Sequence, residues 1–219
     1  QEVKNIPVGQ NWGFLEFKTN KSLLAGSRYG VYEIKGDSAV LIFKGTHFAK
    51  LYQSAKNPNR VFSSALPDFI SFRFEAGKWI YEGKWAGIND EVRGVIEDKS
   101  GDLWLGTYRN GVIRVTPNNE NITKPTKIRY YTKKDGFASL VDILPFNFKN
   151  ELILGAENGL YIHNSKTDRF EPFCELGKIF CNGINNVYSL REMPDGKIWI
   201  CPKENKNGDI VGIEGIIRD

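Results

Sequence analysis

The sequence is poor in the side chains that most often carry chemistry. It holds 2 histidines, His47 and His163, with 3 cysteines and 1 methionine in 219 residues. Two histidines far apart, without partners at ligand spacing, exclude a His-rich metal site and leave a Ser/His triad no redundancy. Both are read as incidental surface or strand residues. Cys174, Cys181 and Cys201 form an odd set, with neither the C-x-x-C spacing of zinc ribbons nor the density of disulfide-stapled domains. A Cys174–Cys181 bridge suits a short hairpin or loop in an exported chain, but three buried free thiols is the preferred reading. Cysteine usage leaves the compartment open, and neither metal nor cofactor is expected.

Charge of one sign is lacking too. Lys+Arg 30 against Asp+Glu 26 gives a net +4, too evenly mixed for the basic face that phosphate backbones require, so no nucleic-acid partner is expected. No stretch approaches the roughly 18 apolar residues of a membrane span. The longest apolar run, Ala39 to Phe43, has the length of a buried strand. The chain starts at Gln1 without a charged and apolar leader, and its single methionine is Met193. It is therefore expected to be a processed or excised piece. What it does have is 41% hydrophobic and 13% aromatic residues, enough for a sizeable core and too much for disorder.

Helical periodicity is almost absent, while apolar or alternating runs of four to six residues recur between Gly, Asn, Asp and Pro. This predicts an all-β chain, and the runs repeat. The clearest unit extends from Val92 to Val115: a strand, an Asp98-Lys99-Ser100-Gly101 turn, the strand Leu103-Trp104-Leu105-Gly106, a turn closing at Gly111, and a third strand. A fourth strand at 127–131 completes it. Leu23 to Ile34 and Leu152 to Ile162 restate the apolar run, the glycine and the second glycine (Gly26 and Gly30, Gly155 and Gly159). Val61 to Phe72 and Val187 to Cys201 are degenerate copies. The comparable positions Gly26, Ser64, Gly106, Gly155 and Cys201 are 38, 42, 49 and 46 residues apart, and a period of roughly forty to fifty residues per four-strand unit is that of propeller blades. The glycine at the strand end is expected either to turn with positive φ or to allow close packing. The Leu103-Trp104-Leu105 and Ile198-Trp199-Ile200 runs are expected to be buried on both faces by neighbouring blades. The expected fold is a β-propeller segment of about five blades of four antiparallel strands, an incomplete propeller. The single segment 1–219 divides at about 11–45, 46–86, 87–136, 137–184 and 185–219.

Three strings carry a family resemblance: Val95-Ile96-Glu97-Asp98 to Gly101, Leu103-Trp104-Leu105-Gly106-Thr107 to Gly111-Val112, and Tyr130-Tyr131-Thr132-Lys133-Lys134-Asp135-Gly136-Phe137. Together they resemble the two-component regulator propeller repeat of bacterial, notably Bacteroidetes, sensor proteins. Ser63-Ser64-Ala65 and Cys201-Pro202-Lys203 depart from its Gly-Thr pattern. The resemblance implies a periplasmic, non-catalytic, ligand-sensing segment of a two-component sensor histidine kinase or regulator. Its relatives respond to glycans or other nutrients and signal by altered dimer geometry. It also implies further blades, a β-sandwich and a membrane helix elsewhere in the parent chain, and a homodimer.

In a four-stranded blade the turn between the second and third strands and the connection to the next blade leave on one face. That makes Arg28, Tyr29, Tyr108, Arg109, Glu157 and Asn158 the candidate ligand-binding residues. An Arg beside a Tyr pairs a guanidinium fork for oxygens with a ring for stacking on a sugar or carboxylate ligand. Trp12, Trp79 and Trp85 are read as core or interblade fillers. Glu91 with Glu97 and Asp98, and Asp135 with Asp142, are the conceivable glycosidase acids, but turn chemistry explains them better. No catalytic residue is assigned. The alternatives are an envelope interaction scaffold, which an exposed aromatic patch would favour, and a propeller glycan-processing enzyme, which the shortage of histidine disfavours.

Overall fold

The computed structural model describes residues 11–45, 47–183, 187–193 and 195–202. Its strands form four four-stranded antiparallel sheets and one two-stranded sheet, each built from strands consecutive in sequence. The first sheet holds β1 (Asn11–Phe17), β2 (Ser22–Ser27), β3 (Gly30–Lys35) and β4 (Ser38–Lys44), and the second β5 (Phe48–Gln53), β6 (Arg60–Ala65), β7 (Asp68–Glu75) and β8 (Lys78–Lys84). The third comprises β9 (Val92–Glu97), β10 (Leu103–Thr107), β11 (Val112–Thr116) and β12 (Lys127–Tyr131). The fourth comprises β13 (Leu144–Phe148), β14 (Glu151–Ala156), β15 (Gly159–Asn164) and β16 (Arg169–Pro172), and the fifth β17 (Val187–Glu192) and β18 (Ile198–Pro202). These are β-propeller blades, each a meander whose neighbours in sequence pair in space.

The repeated glycine sits one residue before the end of the second strand in the first, third and fourth sheets, with Ser64 and Cys201 at the same place in the others. Its use is close approach, not left-handed φ. A Cβ on Gly26 would lie 2.7 Å from the carbonyl oxygen of Phe48, at the start of the next sheet's first strand. Gly106 and Gly155 face the carbonyls of Ile143 and Val187 in the same way, inside contact distance. The next blade's entering backbone therefore crosses where a side chain would stand. Positive φ is found in the hairpin instead: Gly101 has φ 92. There Asp98 Oδ1 accepts hydrogen bonds from Ser100 N at 2.8 Å, Ser100 Oγ at 2.6 Å and Asp102 N at 3.1 Å, an Asx turn that selects the Asp-x-Ser-Gly string.

The chain forms two compact units, Gln1–Leu103 with Val115–Ile128 and Trp104–Arg114 with Arg129–Asp219. In the first unit Phe17, Leu24 and Val31 pack with Phe48, Val61, Ile70 and Phe72. Trp79 lies against this core, its ring centroid 4.7 Å from that of Phe17. Trp85 is buried against Phe62 and Phe69 and donates its Nε1–H to Ser71 Oγ at 3.1 Å. The side chain of Trp12 lies outside the described residues. In the second unit Phe148, Ile153 and Leu160 pack with Phe173, Phe180, Val187, Leu190 and Ile200.

Three expectations are corrected. The apolar run 39–43, expected as a buried core strand, lies in the edge strand β4, with Val40 61% and Leu41 44% exposed. Cys174 and Cys181 form a disulfide, with Cα atoms 5.2 Å apart, and Cys201 is exposed, so the three thiols are not buried and free. The bridge closes the connection after β16, where seven residues of separation bring the two Cβ atoms back together around a 3-10 turn at Lys178–Phe180. Trp104 is buried as expected, but Trp199 is 55% exposed. Alternation along a strand assigns a face, and only a neighbouring sheet can cover it.

Candidate functional site

In the first and third sheets the turn between the second and third strands is fixed by a hydroxyl at the strand end. Thr107 Oγ1 donates to Gly111 O at 2.9 Å and accepts from Asn110 N at 2.9 Å, while Thr107 N donates to Gly111 O at 3.0 Å. Ser27 does the same for the first sheet: its Oγ donates to Gly30 O at 3.0 Å and accepts from Tyr29 N at 3.0 Å. These bonds spend the polar backbone of the turn on itself and push the next two side chains outward: Tyr108 and Arg109 in one turn, Arg28 and Tyr29 in the other.

In the second unit the connection 137–143 runs beside the Thr107–Gly111 turn. Asp142 N donates to Tyr108 O at 2.9 Å, Ile143 N to Thr107 O at 3.1 Å, and Gly111 N to Leu140 O at 3.2 Å. The same connection reaches the next turn, where Ser139 Oγ donates to Glu157 Oε2 at 3.0 Å. Asn158 Nδ2 donates to Tyr161 Oη at 2.6 Å, and Ala138 N donates to the same oxygen at 3.4 Å. The turn of Tyr108 and Arg109 and the turn of Glu157 and Asn158 thus flank the same connection. The Arg109 guanidinium lies 4.9 Å from the Tyr108 ring centroid, a cation–π pair at the exposed end of the scale. Asn158 Oδ1 is shielded from solvent and has no hydrogen-bond partner. The two turns therefore carry a forked cation beside a ring and a carboxylate. Arg28 and Tyr29 belong to the other unit. Tyr29 is 45% exposed, and the carbonyls of Arg28 and Tyr29 accept from His47 N and Gly45 N at 3.3 Å.

A polar cluster in the second unit escaped the sequence reading. Asp168 Oδ1 accepts from Tyr131 Oη at 2.6 Å and from His163 Nε2 at 3.1 Å. Arg129 Nε lies 3.2 Å from Asp168 Oδ2, and its Nη2 lies 3.2 Å from Asp135 Oδ1. Asp135 Oδ2 in turn accepts from Thr132 N at 2.7 Å in a capping box. Above this stands Trp104, with ring centroids 4.9 Å from His163, 5.3 Å from Tyr131 and 5.9 Å from Phe170. Burial and then the Asp168 hydrogen bond push the Tyr131 hydroxyl up to about 12. Burial also holds His163 below its ordinary value, outweighing the pull of Asp168. Burial acts upward on Asp168, but hydrogen bonds from Tyr131 and His163 and the Arg129 charge keep it below the usual carboxylate range. The cluster clasps the end of β12 to the turn between β15 and β16, so His163 is no incidental residue. The string Tyr130 to Gly136 was its visible half; the other half lies a repeat away.

The conceivable catalytic acids are engaged elsewhere. Glu91 pairs with Arg93, and Glu97 accepts from Ser54 Oγ, Ala55 N and Lys56 N. Among the described residues no group of His, Cys, Asp and Glu is placed to hold a metal ion, and no helix is long and apolar enough to cross a membrane.

Residues 86–109 match the family described as Two component regulator propeller. No curated protein matches the chain. Among solved structures, the extracellular domains of two hybrid two component systems of B. thetaiotaomicron are similar. One is 17% identical with a TM-score of 0.71, covering 92% of this chain and 26% of that one. The other is 13% identical with a TM-score of 0.64, covering 96% and 31%. Virginiamycin B lyase of Staphylococcus aureus is 13% identical with a TM-score of 0.64, covering 96% of this chain and 71% of the lyase. The chain thus spans well under half the length of the two sensor domains.

Proposed function

We propose that the chain, a β-propeller whose residues 86–109 match the two component regulator propeller family, is a ligand-sensing propeller segment in the periplasmic part of a two-component sensor, without catalysis of its own. The observation that carries this reading is that the turn of Tyr108 and Arg109 and the turn of Glu157 both bond to the connection 137–143, with the Arg109 guanidinium over the Tyr108 ring. A planar cation beside a ring, with a carboxylate on the other turn, suits a hydroxyl-rich or carboxylate-bearing ligand such as an oligosaccharide. The signal would pass to the remainder of a longer sensor chain. The Cys174–Cys181 disulfide supports placement outside the cytoplasm, because such bonds persist in oxidising compartments.

The likeness to virginiamycin B lyase is a likeness of fold, and fold alone does not transfer chemistry. Glu91, Glu97 and Asp135 are engaged in ion pairs and turn bonds, and His163 is packed beneath Trp104. An acid–base pair facing a substrate is not formed by these groups. The test is calorimetric titration of the full chain with panels of oligosaccharides and carboxylate metabolites. Saturable heat that disappears in Arg109→Ala supports the sensor. No binding across both panels, with stable capture of an envelope protein, favours the interaction scaffold.

A further inference from the structure

The clasp around Asp168 stands at the start of the segment that bonds to both candidate turns, and all of it lies within the second unit. From Tyr131 at the end of β12 one contact follows another as far as Ile143. Thr132 and Asp135 close the capping box, and Asp135 is held by Arg129. Gly136, with φ 112, then lies against the Phe170 carbonyl, where a Cβ would collide. Phe137 is buried, its ring centroid 4.7 Å from that of Phe170 and 5.2 Å from that of Tyr161, and Ala138 N donates to Tyr161 Oη. Only then come Ser139, bonded to Glu157, and the bonds of Leu140, Asp142 and Ile143 to the Thr107–Gly111 turn. Loosening the clasp thus frees the near end of a strap whose far end holds the turns.

His163 sits in the middle of the clasp, its side chain 11% exposed. Its ring packs on Trp104 of β10, Tyr131 of β12 and Phe170 of β16. The charged groups around it are Asp168 from the turn between β15 and β16, Arg129 from β12 and Arg114 from β11, with Asp135 bound to Arg129. Two guanidiniums and two carboxylates balance, so a neutral imidazole leaves the cluster neutral. A proton on the ring adds a third cation, and the Asp168 carboxylate that would answer it already accepts from Tyr131 Oη and faces Arg129 Nε. Burial opposes that proton, Asp168 favours it, and Arg114 and Arg129 oppose it; the opposition prevails.

We infer that the clasp is an acid-released latch on the connection 132–143, and through it on the turns of Tyr108 and Glu157. Proton uptake by His163 loosens the base of the connection and with it the bonds that hold those turns. His163, Asp168 and Tyr131 are then positioning residues, not ligand contacts. As regulation of ligand hold this rests on the sensing reading above; the latch itself does not. Linkage makes the effect reciprocal: a ligand that orders the turns disfavours the proton on His163.

Amide hydrogen exchange of the full chain without ligand, at about pH 7.5 and about pH 5.5 and corrected for the intrinsic pH dependence of exchange, tests the latch. The Asp142 and Ile143 amides, bonded to Tyr108 O and Thr107 O, should lose protection on acidification by a few-fold. About tenfold is the ceiling for a histidine that titrates at about 6.5 once released. The Phe173 amide, bonded to Leu160 O in the connection after β16, should keep its protection. His163→Gln retains a donor for Asp168 without titrating in this range and should abolish the acid response. Asp168→Asn removes the carboxylate that favours the proton, so it should enlarge the response, and it decides the matter should the glutamine variant not fold. Equal loss at Phe173 would mean global destabilisation and overturn the latch, and so would an acid response that persists in His163→Gln or shrinks in Asp168→Asn.

Calorimetric titration with the oligosaccharide and carboxylate panels at both pH values separates the latch from the sensing reading. Affinity that falls on acidification in the wild type and not in His163→Gln supports the latch as regulation of the ligand face. Affinity indifferent to pH overturns that regulation. No binding at either pH, with the exchange result intact, overturns the sensing reading and leaves the latch standing.

Discussion

The Tyr131 hydroxyl donates a 2.6 Å hydrogen bond to Asp168, across 37 residues of sequence and from one four-stranded sheet to the next. It is the shortest bond in a clasp that also holds His163 and Arg129. Tyr131 is fully buried, and the Asp168 side chain is 43% exposed. Removing the hydroxyl leaves an acceptor that water can reach. Tyr131→Phe is therefore expected to cost about 1.5 kcal/mol, the low end for a hydrogen bond to a charged group, because the exposed carboxylate regains water. Urea unfolding with an unchanged slope checks it; a loss of several kcal/mol would mean that the clasp acts as a cooperative network.

Trp104 and Trp199 hold the same place in the repeat and should respond differently to truncation. Trp104→Ala removes a ring packed on Tyr131, His163 and Phe170 beside the Arg114 guanidinium, at a cost of roughly 3–5 kcal/mol. Trp199→Ala should stay within about 1 kcal/mol, as exposed positions do. Equal losses in thermal unfolding would contradict the assigned burial.

The clasp sets the pH dependence. Burial keeps the folded-state His163 below its unfolded value, so its contribution is fully present above about pH 6.5 and falls as pH drops below that. Asp168 is also depressed; its contribution is present above its unfolded value and is lost at still lower pH. Tyr131 is raised from 10.0 to about 12, so stability is full below pH 10 and is lost as pH climbs through that window. Melting temperature against pH should show the near-neutral slope in the wild type and lose it in His163→Gln. An unchanged slope in that variant would place the titrating group elsewhere.

The fold was legible because strand length, turn residues and period all agreed. Asp98, Ser100 and Gly101 name their turn, and Gly26, Gly106 and Gly155 mark one position three times. What the pattern could not carry was a reason acting across blades. Those glycines are required by the backbone of the next sheet, not by their own φ. Trp199 read as buried because alternation reports a face without its cover. His163 read as incidental because, although Asp168 follows five residues on, Tyr131 and Arg129, which complete the cluster, come from the preceding repeat. The candidate site was half legible: topology brings the turns of Tyr108 and Glu157 to the same connection, but the Ser139–Glu157 and Asn158–Tyr161 bonds have no sequence signature.

The close approach at the repeated glycine yields its own prediction. A Cβ at position 106 would collide with the Ile143 carbonyl and crowd Pro145, and both are backbone-anchored and cannot rotate away. Gly106→Ala should cost about 1–3 kcal/mol, as overpacking does, despite the strand-favouring gain from losing a glycine. Gly155→Ala, which meets the Val187 carbonyl, should behave alike. Chemical denaturation that leaves either variant as stable as the wild type would remove close approach as the reason for the glycine.

Binding and stability should separate at Arg109. Its guanidinium lies over Tyr108 and is exposed, and the turn beneath it is held by Thr107, Asn110 and Gly111 without its help. Arg109→Ala should therefore unfold within about 0.5 kcal/mol of the wild type. A lost charge-assisted hydrogen bond to ligand oxygens, worth about 1.5–3 kcal/mol, corresponds to roughly a tenfold to hundredfold weaker Kd. Arg109→Lys should recover little, since an ammonium keeps the charge but not the planar fork. Titration of all three proteins with one ligand separates the possibilities: full recovery by lysine would reduce the contact to simple charge, and equal affinity in the alanine variant would remove this turn from the binding face.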